Sequence, residues 1–424
     1  MRALTALTAA LLVTGGLAVT TAEAQAQTPR SLNLSRDERD AIAALQSAAV
    51  GTNRPAQDAA LAAARVRAQG VSARYAVAHY QFEIGRQRAD NAMQSQAAEA
   101  MIESGLATPE EAPGLVAYLA GRALASGRDA ARTDRLIARL VEMQPTNSAA
   151  LVDYGQFTAS QLPSARGPAA ITIRTNAVSL FQRAFAADKA AGRISPESWY
   201  QRGLAVAYDG TRPPASNMSF APAVLSFGRD LVAGYPTPAN WRDALNAYRD
   251  VAGDPALELD IRRLARAAGI LAGERDYMEF ATALADARLI GEARAVIDEG
   301  LRANMVETSR IAPALATRIA PAAVARDRAA LAGLRARAQS GTGAAARGAA
   351  DNFYAFGQYA DAATLYALAL QKGGEDANLV NLRLGAALAM AGRRPEAEAA
   401  LRLVTGPRAD LAGFWLTWLA RRPA

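Results

Sequence analysis

Small and apolar side chains recur along the chain at intervals of four and then three residues. The sets are Ala177, Phe181 and Ala184; Ala293, Ile297 and Gly300; Ala362, Tyr366 and Ala369; and Ala397, Leu401 and Val404. This spacing places each set on one face of an α-helix. A second pattern sets a small residue three positions before a larger one: Gly121–Leu124, Gly203–Val206, Ala281–Leu284, Ala350–Phe353 and Gly385–Leu388, with Gly155–Thr158 a weaker case. Helix punctuation frames these runs. Ser35 with Glu38 has capping-box spacing, Thr108-Pro109-Glu110-Glu111 and Ser195-Pro196-Glu197 read as helix starts, and Gly70, Gly105 and Gly192 read as stops. Ile171–Ile173 is the one strand-like run, too short to build a sheet. The pattern predicts an all-α protein.

The helical segments also repeat. Gly121 and Gly155 lie 34 residues apart, and Gly357 and Gly392 lie 35 apart. Small residues in the first helix of a pair, at Gly121, Gly155, Gly203, Ala281, Ala350 and Gly385, suit close helix crossings, with large residues filling the holes beside them. Together with the four triplets above, this resembles the tetratricopeptide repeat, a helix–turn–helix unit of about 34 residues. The resemblance covers about half the chain after its leader. It implies an α–α solenoid of antiparallel helix pairs whose first helices line a concave, peptide-binding groove. Carrying the family's groove positions over places Tyr118, Arg122, Gln156, Tyr200, Asp351 and Tyr354 on that surface. The lysine–asparagine clamp of the chaperone-binding subfamily is missing, since Tyr118 and Val152 stand where a lysine is wanted. The implied ligand is therefore a protein or peptide held through mixed contacts.

The organisation expected from these signals is a leader at 1–24, divergent helical pairs at 25–113, and repeats at 114–208. An irregular loop with out-of-register helices follows at 209–275, then repeats at 276–340. The C-terminal segment, 341–424, is a repeat pair plus a last helix. Trp415 and Trp418 fall at the tryptophan and leucine positions of a further unit, so the helix at about 409–421 reads as a cap over the end of the array. Tyr208, Phe220, Phe227, Tyr235, Trp241 and Tyr248 cluster where the register slips and read as core filling, with the loop at 209–219 as the other place for binding. Gly341-Thr342-Gly343 and Gly348 read as a flexible hinge.

Composition narrows the function. The net charge is +7, but Lys189 and Lys372 are the only lysines among 47 cationic residues. That skew fits a GC-rich, bacterial genome, and the arginines lie among acids, as in Arg262, Arg263, Arg266, Glu274, Arg275 and Asp276. A solvated helix face explains this better than nucleic-acid binding. Asp254, Glu258 and Asp260 read in the same way. Absence of cysteine excludes disulfides, thiolate metal sites, cysteine nucleophiles and a lipoprotein anchor. Met1-Arg2, an uncharged run from Ala3 to Ala22, and small-x-small sites ending at Ala24 and Ala26 form a secretory signal with cleavage after 24 or 26. No later segment is apolar enough to span a membrane, so a periplasmic or secreted chain is expected. His79, the only histidine, stands on an apolar helix and reads as structural. No nucleophile elbow, zinc-binding helix or compact lysozyme-like domain is present, so neither an enzyme nor a cofactor is expected. The expected role is a non-catalytic envelope scaffold or adaptor. The alternative is an accessory subunit of a polysaccharide or cell-wall enzyme system.

Overall fold

The computed structural model describes residues 32–212, 217–252 and 255–421. The expected leader and its cleavage sites lie outside the described residues, as do Pro213-Pro214 and Asp254. The fold is all-α, with helices packed in consecutive neighbouring pairs in the manner of a helical solenoid. No described helix is long and apolar enough to cross a membrane. The chain divides after Asp129 into two compact units.

The N-terminal unit holds α1 (Arg36–Val50), α2 (Arg54–Arg67), α3 (Val71–Gln87), α4 (Asn91–Glu103) and α5 (Glu111–Ser126). The helix expected to open the repeat segment at 114 thus belongs to this unit. Glu38 completes the capping box, taking the Ser35 N–H at 2.8 Å while the Ser35 hydroxyl accepts from the Glu38 N–H. Its other oxygen accepts from Gln69 N and Gly70 N, at 3.1 and 3.0 Å, which ties the start of α1 to the start of α3. Gly70 is therefore an extended N-cap and not a helix stop. Thr108 and Glu111 exchange the expected reciprocal bonds, but the helix begins at Glu111, leaving Pro109 in the preceding turn. Gly121 departs from the repeat pattern. It is exposed, and a Cβ added there would meet no atom within 4 Å, so no helix crosses closely at this point.

The second unit starts with α6 (Ala130–Met143), α7 (Ser148–Ala159), α8 (Gly167–Ala190), α9 (Glu197–Thr211), α10 (Ala221–Gly234) and α11 (Pro238–Ala252). It continues with α12 (Glu258–Ala267), α13 (Gly273–Asp286), α14 (Ile290–Arg302), α15 (Pro313–Arg318), α16 (Pro321–Ala329) and α17 (Leu331–Ser340). It ends with α18 (Gly343–Ala355), α19 (Tyr359–Lys372), α20 (Ala377–Met390), α21 (Arg394–Arg402) and α22 (Ala409–Ala420). The strand-like run at 171–173 lies inside α8. The small-against-large crossings are real here. A Cβ on Gly155 would stand 3.3 Å from the Phe181 ring, and one on Gly385 would stand 2.5 Å from Leu401 Cγ. Gly343 is no hinge: a Cβ there would lie 2.1 Å from the Gly373 carbonyl oxygen, so glycine is needed for α18 to pass the end of α19. Four of the six clustered aromatics are core, while Tyr208 and Tyr235 are only half-buried. Phe220, Phe227, Trp241 and Tyr248 are buried, and Phe227 stacks edge-on against Phe185.

The last helix does more than cover an end. Its apolar face packs on α20 and α21, and also on α10, far back in the chain. Phe414 lies 6.2 Å from the Trp241 ring and 5.7 Å from the Tyr248 ring, and Arg229 pairs with Asp410 at 2.6 Å. The Trp418 indole N–H donates to the Ala267 carbonyl at 3.1 Å. One buried core runs through α10, α11, α12 and α17 to α22, so α22 closes this part of the unit upon itself.

Candidate protein-binding surface

The six expected groove residues separate into three environments. Tyr118 and Arg122 lie on α5. Tyr118 is half-buried, its hydroxyl donating to Asn91 O at 3.3 Å and its ring edge-on to Phe82, while Arg122 is exposed. Gln156, on α7, is half-buried and accepts from Arg202 Nη1 at 2.7 Å. Tyr200 is buried against Phe185, with ring centroids 4.5 Å apart, and burial raises its pKa. Asp351 and Tyr354 are buried as well. Tyr200, Asp351 and Tyr354 therefore serve the interior and offer no open groove surface.

The chain's own α12 covers Tyr354, and Arg383 of α20 ties Asp351 to α12. Arg383, on α20, reaches both Asp260 on α12, at 3.1 Å, and Asp351 on α18, at 3.0 Å. The Tyr366 hydroxyl donates to Asp351 Oδ1 at 2.6 Å. Arg263, also on α12, forks onto Glu292 of α14 with bonds of 2.7, 3.1 and 3.2 Å, and its guanidinium lies 4.3 Å above the Tyr354 ring. Burial opposes the Arg263 charge, but Glu292, with smaller contributions from nearby tyrosines, more than offsets it and holds the pKa well above the ordinary value. The charged segment expected as a solvated face is thus, at Asp260 and Arg263, an enclosed ionic joint. The reason is helical spacing: Asp260 and Arg263 share the side of α12 that carries Ile261 and Leu264, so burying the apolar pair carries the charges inward. A charge enclosed in this way requires a partner, and each here has one.

No protein-family model matches the chain, and no curated protein is similar to it in sequence. The site must therefore be weighed on its own chemistry. Among the described residues, no group of three or more His, Cys, Asp or Glu is placed to hold a metal ion. His79 is half-buried with its ring edge-on to Tyr80. Asp188 is buried and takes bonds from the hydroxyls of Ser148 and Ser195, at 2.8 and 2.7 Å, and from Arg193 at 2.6 Å. Burial works against its ionised form, but these donors together lower its pKa. The node joins the starts of α7 and α9 to the end of α8, which is a structural task.

An exposed polar face remains on α7, α9 and α11. Gln156 and Arg202 bridge α7 to α9. Tyr208 donates to Asp250 and bridges α9 to α11, with the Arg212 guanidinium 5.2 Å from the Tyr208 ring centroid. Burial, and then the bond to Asp250, push the Tyr208 pKa up to about 12, so its hydroxyl stays a donor. Gln201, next to Arg202, bonds to Asn240 of α11 at 3.1 Å. Of the expected groove residues Gln156 lies on this face; Arg202 and Asp250 are not among them, and the sequence pattern reads Tyr208 as core filling. The rule that placed Gln156 one residue after Gly155 selects Leu204 after Gly203, and Leu204 is buried. The exposed position is Arg202, on the other side of that glycine.

Proposed function

We propose that the protein is an exported, non-catalytic scaffold, built as a tetratricopeptide-like array, that holds a protein partner on the face formed by α7, α9 and α11. The observation that carries this reading is the pair of side-chain bridges Gln156–Arg202 and Tyr208–Asp250 on adjacent helices. They preset an arginine and a tyrosine, two residue types enriched at interface hot spots, on a supported surface. Rigid support lowers the ordering cost of binding. Export rests on the charged start, apolar run and small-x-small sites of the leader.

Cross-linking in envelope fractions, followed by capture of the mature chain, should recover a protein partner. The double variant Arg202→Ala/Tyr208→Ala should weaken that partner's binding by at least ~2 kcal/mol, about thirty-fold, with the melting temperature of the variant as the folding control. Unchanged affinity in a folded double variant refutes the assigned face. N-terminal sequencing of the recovered chain should begin at Gln25 or Gln27. Recovery of Met1 from a membrane fraction refutes export with cleavage.

A further inference from the structure

Beside the ionic joint, two adjoining hollows open between α12, α14, α16, α22 and the turn joining α18 to α19. Their volumes are about 310 and 320 Å³, and Arg266, Glu292, Tyr354 and Tyr359 line both. Each reaches the lower end of the range occupied by small-molecule sites. The Tyr354 side chain belongs to a residue only 5% exposed, yet its hydroxyl has no hydrogen-bond partner among the described residues. The Tyr359 hydroxyl, on a ring 4.9 Å away, has none either. Burial raises the pKa of both phenols, so both remain donors. Arg266 gives its Nε to Glu299 at 2.8 Å, and its terminal nitrogens make no hydrogen bond among the described residues. Glu292 is engaged by Arg263. The hollows thus present donors in excess of acceptors.

The charge balance limits what can enter. Arg263, Arg266 and Arg294 are cancelled by Glu292, Glu299 and Asp298. Arg328 has no ion-pair partner among the described residues; it is exposed at the second hollow, 5.2 Å from the Phe356 ring centroid. One uncompensated positive charge favours a monoanion, while the three carboxylates lining the hollows disfavour a dianion. Trp418 and Met390 give the first hollow an apolar wall, and Phe356 lines the second.

We propose that these hollows form a binding site for a small monocarboxylate with an apolar, ring-sized body, its carboxylate accepting from Tyr354, Tyr359 and Arg266. The site is separate from the α7–α9–α11 face and does not depend on that face binding a protein.

Phenylacetate, its uncharged isostere phenylacetamide and phenylphosphonate, at about pH 9 where the phosphonate is a dianion, test the site, titrated into the full mature chain by calorimetry. Phenylacetate should bind, and the other two should bind at least ten-fold more weakly. Tyr354→Phe/Tyr359→Phe keeps both rings and removes only the two donors. It should hold the melting temperature while weakening phenylacetate by roughly ten-fold or more, as expected for losing hydrogen bonds to a charged group. Arg202→Ala, outside the hollows, should leave this binding unchanged. No heat from phenylacetate at millimolar concentration, equal binding of acid and amide, or equal affinity in the double phenylalanine variant overturns the proposal.

Discussion

Replacing Phe414 with alanine tests whether α22 closes the second unit or merely covers its end. The side chain is 1% exposed and stands between the rings of Trp241 and Tyr248, which come from α11 and not from a neighbouring repeat. Truncating a buried phenylalanine costs ~3–5 kcal/mol. Two aromatic neighbours lose a ring contact at once, each worth ~0.5–1.5 kcal/mol beyond area, which places Phe414→Ala at about 4–5 kcal/mol. For a unit as long as 130–424, about 2 °C is lost per kcal/mol, so the melting transition should fall by about 8–10 °C. Calorimetry reads the size of the loss, and hydrogen exchange reads its place. If α22 closes the unit, amides of α10 and α11 should exchange faster along with those of α20 and α21, because the lost contacts lie on both sides of the helix. A loss below ~1.5 kcal/mol, or faster exchange confined to residues 377–402, would refute closure and return α22 to the role of a simple cap.

Two further perturbations probe the buried charges. Arg383→Met strands Asp260 and Asp351; removing one member of a buried pair costs ~3–5 kcal/mol, and the lower end is expected here because Arg263 and Arg347 remain within 3.7 and 3.2 Å of the two carboxylates. Adding Asp260→Asn should recover part of the loss in urea denaturation, and an additive penalty would mean the two residues are not coupled. Glu38 has its pKa lowered from 4.5 to about 2, chiefly by the Gly70 N–H and then by Ser35, so its contribution to stability is full above about pH 4.5 and is lost as pH falls toward 2. Glu38→Gln should therefore destabilise the N-terminal unit at pH 7 and leave it level with the parent chain near pH 2; a deficit of the same size at both pH values would contradict the assignment.

What could be read from the sequence was local. Gly155 against Phe181 and Gly385 against Leu401 are contacts within one helix pair, where the spacing of small and large residues is set by two helices joined by a short turn. The capping box at Ser35 and Glu38 is local too. The reach of Glu38 to Gly70 was invisible, because nothing in an acidic first turn says which distant N–H groups its second oxygen will meet. The same limit governed the groove. A tetratricopeptide-like register places Asp351 and Tyr354 toward a ligand, but the structure puts the chain's own side chains there, Arg383 of α20 on Asp351 and Arg263 of α12 on Tyr354.

The occupant of that face could not be inferred because a buried ionic joint and a solvated helix face are spelled with the same residues. α12 has five charged positions in ten, and as a string it looks like surface. What separates the two cases is whether the partners arrive: Glu292 from α14, Asp351 from α18 and Arg383 from α20, the last 123 residues from Asp260. Trp418 adds a longer link to α12, 151 residues back to the Ala267 carbonyl. None of these pairings leaves a periodic trace, since each is made once. The consequence is physical as well as diagnostic. Apolar contacts along a solenoid tolerate a shift of register, but an arginine held between two enclosed carboxylates does not, because a displaced charge would lose its partners without regaining water. The joint at Arg383 therefore sets where α12 lies against α18 and α20, and with it the place of the Ala267 carbonyl that the Trp418 indole of α22 meets.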